Sequence, residues 1–337
     1  MLYLSIMSSI KDVAKLAGVS ISTVSRVINK NVPVDTKTQE CVEKAILRLN
    51  YRPNLLARGL RKKTGYLIGF IVPELYRLHA STILADAAER SAFSFGYNLI
   101  LGCTHHDPDI EEKLIDSLIK RHVDGIIAYA VEDDRRFVHV FKNTSIPVVF
   151  INWKPQERTI PCVLVDNYKA GQLAAQHLLS LGHTKVGCVT GLMKHFFCAE
   201  RLRGFRETLK LNSIELEQVS VFEGNYWIES GREAAGYFLH KARSVTAIWA
   251  QNDLMAAGMI QELNRRNIKV PNEMSIIGMD DSFYAQILTP ALTTIRQPFE
   301  AMCEKAFVLI NNMKVQSNRT FLMDPELVIR ETTSKLL

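Results

Sequence analysis

The sequence lacks the cysteine pairs of structural metal sites and of disulfide-bonded secreted domains. Its six cysteines include no CxxC motif and stand mostly in apolar runs, at positions 41, 103, 162, 188, 198 and 303. Cysteines placed in this way are typical of reduced thiols in a protein core. The pattern therefore predicts a cytoplasmic protein.

Long hydrophobic runs are also missing. No stretch reaches the roughly 20 apolar residues that a membrane-spanning helix needs, so no membrane partner is expected. Residues 1–7 are apolar, but they have neither a basic start nor a clear small-residue cleavage site, which argues against a signal peptide. Met7 is an alternative start, because the first helical pattern begins only at Ser9.

Short motifs of nucleotide-binding and hydrolytic enzymes are absent. The chain has no GxxxxGK[ST], no GxGxxG after a strand and no GxSxG, so an α/β enzyme is the weaker alternative. His105 and His106, followed by Asp107, hint at a metal site, but adjacent side chains point to different sides of a strand or loop. We therefore expect an exposed loop there, and predict no metal, no cofactor and no enzymatic activity.

Positive charge is concentrated at the N-terminal end. Residues 1–63 carry seven lysines and five arginines against two aspartates and two glutamates, a formal charge of +8, and the remainder carries −2. The 337 residues are enough for two or three domains. This split predicts a surface that faces nucleic-acid phosphates. A solvated basic tail fits less well, because the segment is also rich in periodic apolar residues.

Residues 9–29 read as two short helices around a tight turn. Ser9 followed by Asp12 is a capping-box start, and apolar residues then fall at helical spacing. Gly18 permits a left-handed turn, and Ser20 can cap the second helix. The pattern favours a DNA-binding helix-turn-helix over the alternative, a generic helical hairpin.

A third helix is predicted over residues 36–49, with Asp35 as its cap and a stop before Pro53. Residues 54–61 are helix-capable but too few for a helix that is stable alone. They are either a plain linker or a hinge that folds on DNA.

From Tyr66 onward, continuous apolar runs alternate with amphipathic helical patterns, which indicates parallel sheet covered on both faces. The strands are too many for one comfortable sheet. Two similar α/β halves are therefore expected, with a boundary near Asp166 and a return crossing near Arg296. The predicted strands are residues 66–72, 98–102, 125–129, 147–151, 163–166, 185–190, 246–250, 275–279 and 292–296. The predicted helices are residues 81–95, 110–122, 168–181, 199–211, 229–240, 253–267 and 299–313.

Ligands of such sheets bind beyond the carboxyl ends of the strands. The residues at these ends include an arginine, carboxylates, amides and an aromatic ring, which suit a polyhydroxylated or planar polar ligand. A purely structural role is the alternative, with Asp253 as a helix N-cap and Asp281 as a turn residue. The candidates are Asn152, Trp153, Arg201, Asn252, Asp253, Asp280 and Asp281.

The segments VAKLAGVSISTVSRVIN and LNYRPNLLARGL resemble the lac repressor family of bacterial regulators. The likeness continues in VDNYKAGQLAAQHLLSLGHTKVGCVTG, ERLRGFRETL, QNDLMAAGMIQELNRRNIKVPNEMSIIGMDDS and TPALTTIRQP. It implies a small all-α helix-turn-helix headpiece (8–52), a hinge helix or linker (53–63) and an effector-binding and dimerisation domain (64–337). This last domain is expected to be α/β, with two parallel-sheet subdomains of periplasmic-binding-protein type. The implied N-subdomain covers about 64–165 and 296–323, and the C-subdomain about 166–295 and 324–337.

The resemblance further implies a homodimer that binds a near-palindromic double-stranded DNA operator, with the second helix in the major groove. Ile21 and Ser22 stand at the base-selecting positions of the family, and Arg26 at a shared base or phosphate contact. Leu60 stands at the position of a leucine that wedges into the minor groove. The implied DNA-binding residues are Ser20, Ile21, Ser22, Ser25, Arg26, Asn29, Lys37, Tyr51, Asn54, Ala57 and Leu60.

For the effector, the resemblance implies direct contacts from Arg201, Asn252 and Asp280, with Tyr226 stacked on the ligand. Two departures bear on its identity. Asn152 stands where many sugar-binding members have aspartate, and residues 74–79 replace the Asn-Pro-Phe-type loop of the family. The implied effector-binding residues are His79, Asn152, Trp153, Arg201, Tyr226, Asn252 and Asp280.

The implied function is that of a cytoplasmic, sequence-specific repressor whose operator affinity is controlled by a small-molecule effector, a sugar or sugar derivative. No heptad pattern follows Arg330, which predicts a dimer rather than a tetramer. An exported solute-binding protein would share the body, but it would need a signal peptide and would have no use for a basic headpiece.

Overall fold

The computed structural model describes residues 8–29, 32–51, 65–75, 79–129, 136–137, 139, 144–154, 160–312 and 319–336. The chain divides into two compact units, Met1–Gly65 and Tyr66–Leu337, which are described in turn. The hinge residues predicted from the sequence, 53–63, lie outside the described residues. None of the described helices is long and apolar enough to cross a membrane.

The first unit contains the three helices predicted from the sequence: α1 (Ile10–Ala17), α2 (Ile21–Asn29) and α3 (Thr36–Arg48). Ser9 caps α1 through a reciprocal bond with Asp12, and Gly18 ends it in the left-handed conformation, with φ of 67°. The Ser20 hydroxyl accepts a hydrogen bond from the Thr23 backbone N–H at 3.1 Å, which caps α2. The helix-turn-helix prediction is confirmed.

A small shared core holds these helices together. Each helix contributes two buried side chains, and partly buried residues such as Val19 and Tyr51 pack around them. The six buried residues are Val13, Ala14, Val24, Val27, Val42 and Ala45. The outer face of α2 is thereby turned to solvent.

The second unit alternates strands and helices along most of its length. Its strands are β1 (Leu67–Val72), β2 (Asn98–Cys103), β3 (Gly125–Tyr129), β4 (Val148–Ile151), β5 (Cys162–Val165), β6 (Val186–Thr190), β7 (Val221–Glu223), β8 (Ala247–Ala250), β9 (Ser275–Asp280), β10 (Thr293–Arg296), β11 (Thr320–Met323) and β12 (Glu326–Val328). Its helices are α4 (His79–Ser94), α5 (Pro108–Lys120), α6 (Asn167–Ser180), α7 (Phe196–Leu211), α8 (Ile228–Lys241), α9 (Asp253–Arg265), α10 (Phe283–Ile287) and α11 (Phe299–Asn312), with a 3₁₀ turn at Gln218–Ser220.

These strands form two six-stranded sheets, in the orders β11-β5-β4-β3-β1-β2 and β12-β10-β9-β8-β6-β7. Neighbouring strands run parallel except β10 and β12, which are antiparallel. Helices cover both faces of each sheet, so the central strands are buried throughout. The prediction of two parallel-sheet α/β halves is confirmed.

Three short strands were not predicted: β7, β11 and β12. Each lies at the edge of a sheet, and each has half-buried or exposed positions instead of a continuous apolar run. The chain passes between the sheets three times, at Asp166 after β5, at Gln297 and Pro298 after β10, and at Asp324 and Pro325 between β11 and β12.

Helices α6 and α7 pack backbone to backbone on one face of the second sheet. A Cβ added to Gly171 would lie 2.1 Å from the Arg201 carbonyl oxygen, and one added to Gly204 would lie 2.0 Å from the Tyr168 carbonyl oxygen. On the other face, Gly231 and Gly258 bring α8 and α9 equally close. Since backbone atoms have no rotamers through which to move aside, side chains are excluded at these positions.

We expect Gly171→Ala to destabilise the protein by about 3 kcal/mol, because the added methyl group must push α6 away from α7. Gly236→Ala in α8 is the matched control, since the nearest atom to its new Cβ would be the flexible Arg266 guanidinium at 3.6 Å. That substitution should stabilise the protein by about 0.5–1 kcal/mol through helix propensity. Urea unfolding of both variants measures the difference; equal stabilities would contradict the packing argument.

Candidate functional site

The outer face of α2 presents a mixed polar and apolar surface. Ile21 is 39% exposed, and Ser22 and Arg26 are also exposed. The Ser20 hydroxyl lies 2.7 Å from that of Ser22 and 2.9 Å from that of Thr23. This face therefore offers a methyl-bearing side chain, hydroxyl groups and a guanidinium, the groups that read base edges in the major groove.

The other DNA-contact candidates are placed differently. Asn29 turns its amide back onto its own helix, where Nδ2 donates to the Ser25 carbonyl oxygen at 2.6 Å. Lys37 is exposed in the first turn of α3, whereas Tyr51 packs against the core. The predicted contacts Asn54, Ala57 and Leu60 lie outside the described residues.

A cavity of about 640 Å³ lies between the two subdomains of the second unit, at the carboxyl ends of strands from both sheets. The structure brings six of the seven effector candidates to its wall: Asn152, Trp153, Arg201, Tyr226, Asn252 and Asp280. The seventh, His79, begins α4; its side chain is not described. Neighbouring residues also line the cavity.

Several lining residues were not among the candidates, in particular Tyr129, His195, Phe197, Trp227, Gln251 and Gln297. Gln251 immediately precedes Asn252, and Gln297 immediately follows β10, so the strand-end signal could have identified both. Tyr129 ends the predicted strand β3, so the same signal could have identified it. His195, Phe197 and Trp227 lie at helix starts that no strand pattern marks. Together they give the cavity an aromatic wall beside its polar groups.

Arg201 and Asp280 are the buried charged groups of the cavity, 4% and 8% exposed. The Arg201 Nε donates to Asn167 Oδ1 at 2.8 Å, and its Nη1 donates to the Gln251 carbonyl oxygen at 3.1 Å. Burial raises the pKa of Asp280, although the Arg201 guanidinium and a hydrogen bond from Gln297 both favour the carboxylate. Because both residues line the cavity, the pair offers an effector donors and an acceptor.

Asn252 acts on the cavity through Tyr226. Its Oδ1 caps α9 by accepting from the Met255 backbone N–H at 2.9 Å, and its Nδ2 donates to the Tyr226 carbonyl oxygen at 2.8 Å. Tyr226 has a φ of 73°, unusual for a non-glycine residue. Asn252 thus holds Tyr226 in a strained conformation, and both ends of its amide are occupied.

The Tyr226 ring is fixed from three sides. Its hydroxyl lies 2.7 Å from His195 Nδ1 and 3.0 Å from the Cys198 Sγ, and its ring stacks on His195 at a centroid separation of 5.8 Å. A Cβ at Gly191 would lie 2.0 Å from the tyrosine ring, so only glycine leaves room for it. The ring is a rigid wall against which a ligand can stack.

Asp253 and Asp281 do not line the cavity and have structural roles, but the prediction of Asp253 as the N-cap of α9 is wrong, because Asn252 caps that helix. Asp253 is 1% exposed and accepts from the Ser282 N–H at 2.7 Å and the Thr294 hydroxyl. Burial and the nearby Asp280 raise the pKa of Asp253. Asp281 pairs with Arg296 and Arg330.

His105 and His106 form an exposed turn after β2 at the edge of the cavity. Both have positive φ, 53° and 60°. Within the part of the chain that the structure describes, no three histidine, cysteine, aspartate or glutamate side chains converge as metal ligands would.

Comparison with known proteins matches both units. Residues 9–54 match the family model of bacterial regulatory proteins, lacI family, and residues 175–333 match a periplasmic binding protein-like domain. The HTH-type transcriptional repressor PurR of Vibrio vulnificus (strain CMCP6) is 35% identical over 336 residues, which cover 98% of this chain and all of the relative.

Solved structures show the same architecture. The lac repressor dimer bound to operator and the anti-inducer ONPF matches with a TM-score of 0.84 and 28% identity, over 97% of this chain and 99% of that chain. The complex of the transcriptional regulator CelR with cellobiose matches with a TM-score of 0.71 and 26% identity, over 96% of this chain and 99% of that chain.

We expect Asn252→Ala to destabilise the protein by about 1 kcal/mol, because α9 loses its cap. Asn252→Ser restores a capping hydroxyl but not the amide that holds the Tyr226 carbonyl. Its unfolding midpoint should therefore return close to that of the wild type, while the near-ultraviolet circular dichroism of the aromatic residues stays altered. A full return of that spectrum would show that Asn252 does not hold Tyr226.

Proposed function

The chain belongs to the lacI family of bacterial regulatory proteins, and we propose that this DNA-binding transcriptional repressor acts in the cytoplasm as a homodimer on a near-palindromic operator. Its curated relatives are transcriptional repressors rather than enzymes. The observation that carries the proposal is the joint presence, in one chain, of a capped helix-turn-helix and a polar cavity between two α/β subdomains.

The proposed DNA contacts follow from the exposed face of α2. Ile21 can touch a thymine methyl group, Ser22 can bond to several base edges, and Arg26 can fork onto guanine. Contacts to the phosphate backbone of the DNA set the register of the headpiece on the duplex. The residues proposed to supply or support them are Ser20, Ser25, Asn29, Lys37 and Tyr51. Asn54, Ala57 and Leu60 are proposed to reach the minor groove, with Leu60 as an apolar wedge.

The proposed effector is a sugar or sugar derivative. Paired hydroxyl groups of a sugar can accept from Arg201 and donate to Asp280, and the apolar face of its ring can stack on Tyr226. The solved CelR complex holds cellobiose in the same fold, which supports this class of ligand. A planar heterocycle is the second candidate, because the aromatic wall of Phe197, Tyr226 and Trp227 would also accept a flat ring.

Effector control requires that the ligand bind one arrangement of the two subdomains better than another. A ligand that contacts both walls of the cavity meets this requirement, since its contacts depend on how far the walls are apart. Typical couplings between such sites are about 1–3 kcal/mol. Induction and co-repression both use this mechanism, and they differ only in which arrangement fits the operator.

We expect Arg26→Ala to weaken operator binding by about 10- to 100-fold, as for the loss of a base contact worth about 1–3 kcal/mol. Lys44→Ala is the matched control, because Lys44 is exposed on α3 and its loss removes the same charge. Electrophoretic mobility shifts at one salt concentration, with specific and scrambled duplexes, measure both. Equal losses in the two variants would mean that Arg26 contributes only charge.

A thermal-shift screen of monosaccharides, cellobiose and nucleobases tests the effector. Ligand at about 100 times its Kd should stabilise the protein by about 2.7 kcal/mol, which raises the unfolding temperature by several degrees. We expect a sugar to give this shift and Asp280→Asn to abolish it. A response to nucleobases alone would replace the sugar by a planar heterocycle, and no response to any compound would count against an effector-gated repressor.

A further inference from the structure

A chain of buried hydrogen bonds leads from Asp280 to the first connection between the subdomains. The Gln297 Nε2 donates to Asp280 Oδ1 at 2.6 Å, and its Oε1 accepts from the Asn152 Nδ2 at 3.0 Å. The Asn152 Oδ1 in turn accepts from the backbone N–H of Val165 at 3.2 Å. This chain joins the end of β9, the connection after β10, the end of β4 and the last residue of β5, which precedes the connection at Asp166.

A second chain leads from the same backbone residue to Arg201. The carbonyl oxygen of Val165 accepts from the Asn167 Nδ2 at 3.0 Å. The Asn167 Oδ1 then accepts from the Arg201 Nε at 2.8 Å. Both backbone polar groups of Val165 are thus bound by side chains that lead to the cavity.

The two chains start at Val165 and end at Arg201 and Asp280, which both line the cavity. We refer to this network, together with the stretch of cavity wall between its two ends, as the polar ring. Its members are the side chains of Asn152, Asn167, Arg201, Asp280 and Gln297 and the backbone of Val165.

All members of the polar ring are at most 8% exposed. Water is therefore a poor substitute for a broken bond, and an unpaired group would bear its full desolvation cost. Moving one member without the others leaves a buried donor or acceptor unpaired. The ring is expected to change its geometry as a unit.

We propose that Asn167 and Gln297 are positioning residues that hold Arg201 and Asp280 in place for the effector and tie both to two of the three connections between the subdomains. The proposal rests on the proposed function, because it treats Arg201 and Asp280 as the residues that contact an effector. It links this pair to the connections about which the subdomains turn. Occupancy of the cavity then acts on the connections directly, through the Arg201 and Asp280 ends of the ring.

Hydrogen exchange of the full-length protein, without effector or DNA, tests the ring. Asn167→Ala removes the acceptor for Arg201 and the donor to Val165. Because hydrogen bonds to charged groups are worth about 1.5–3 kcal/mol, we expect amide exchange to rise at least about tenfold. The rise should occur in residues 160–168, around the substitution, and also in residues 293–300, the other connection.

Two controls separate this effect from a loss of stability. Gln261→Ala removes an exposed amide on α9 and should leave both segments unchanged. Residues 228–241, which form α8, report global opening and should exchange as in the wild type. Faster exchange confined to residues 160–168 would overturn the proposal, because an ordinary structural role would disturb only its own surroundings.

Two further variants test the route. Asn167→Asp keeps an acceptor for Arg201 but loses the donor to Val165, so residues 293–300 should exchange faster, as in Asn167→Ala; wild-type exchange there would overturn the route through Val165, Asn152 and Gln297. Gln297→Ala gives the reciprocal test, with faster exchange expected in residues 160–168, and it decides the matter if Asn167→Ala does not fold. A failed sugar screen would count against the proposed function and leave these exchange results standing.

Discussion

The junction between the two subdomains is governed by the need to satisfy polar groups that parallel sheets bury at their carboxyl ends. Asp280 ends the central strand β9 and is almost fully buried, so it requires donors or a cation. Gln297 supplies a hydrogen bond and the Arg201 guanidinium supplies positive charge, and each is itself bonded to another buried amide. The same constraint that completes the fold therefore also places a carboxylate and a guanidinium at the wall of the cavity.

The same need to satisfy buried polar groups gives two residues at the cavity wall a structural role. Asn152 and Asn252 line it, but both ends of each amide are occupied within the protein. Asn152 joins Gln297, in the connection after β10, to the last residue of β5, and Asn252 caps a helix and holds Tyr226. An asparagine suits both tasks because one side chain offers a donor and an acceptor. An aspartate at position 152 would have no N–H group to donate to the Gln297 Oε1.

The sequence was sufficient to predict the parts of the fold that depend on local pattern. Continuous apolar runs predicted the buried strands, and capping residues with Gly18 predicted the helix-turn-helix. The edge strands β7, β11 and β12 were not predicted, because a strand at an exposed sheet edge does not need a continuous run of apolar residues. At the cavity, residues next to strand ends could be named in advance. His195 and Asn167 could not, because their roles arise from contacts with residues 31 and 34 positions away.

The strength of the network fits the size of the control it would exert. Only one or two hydrogen bonds to charged groups, each worth about 1.5–3 kcal/mol, separate an intact ring from a broken one. That is the range of typical couplings between allosteric sites, about 1–3 kcal/mol. A stronger junction would resist the effector, and a weaker one would let the subdomains move without it. An effector can shift an equilibrium between two states only as far as its affinities for the two states differ. With the polar ring at the cavity wall, that difference in affinity depends on the positions of a few buried atoms.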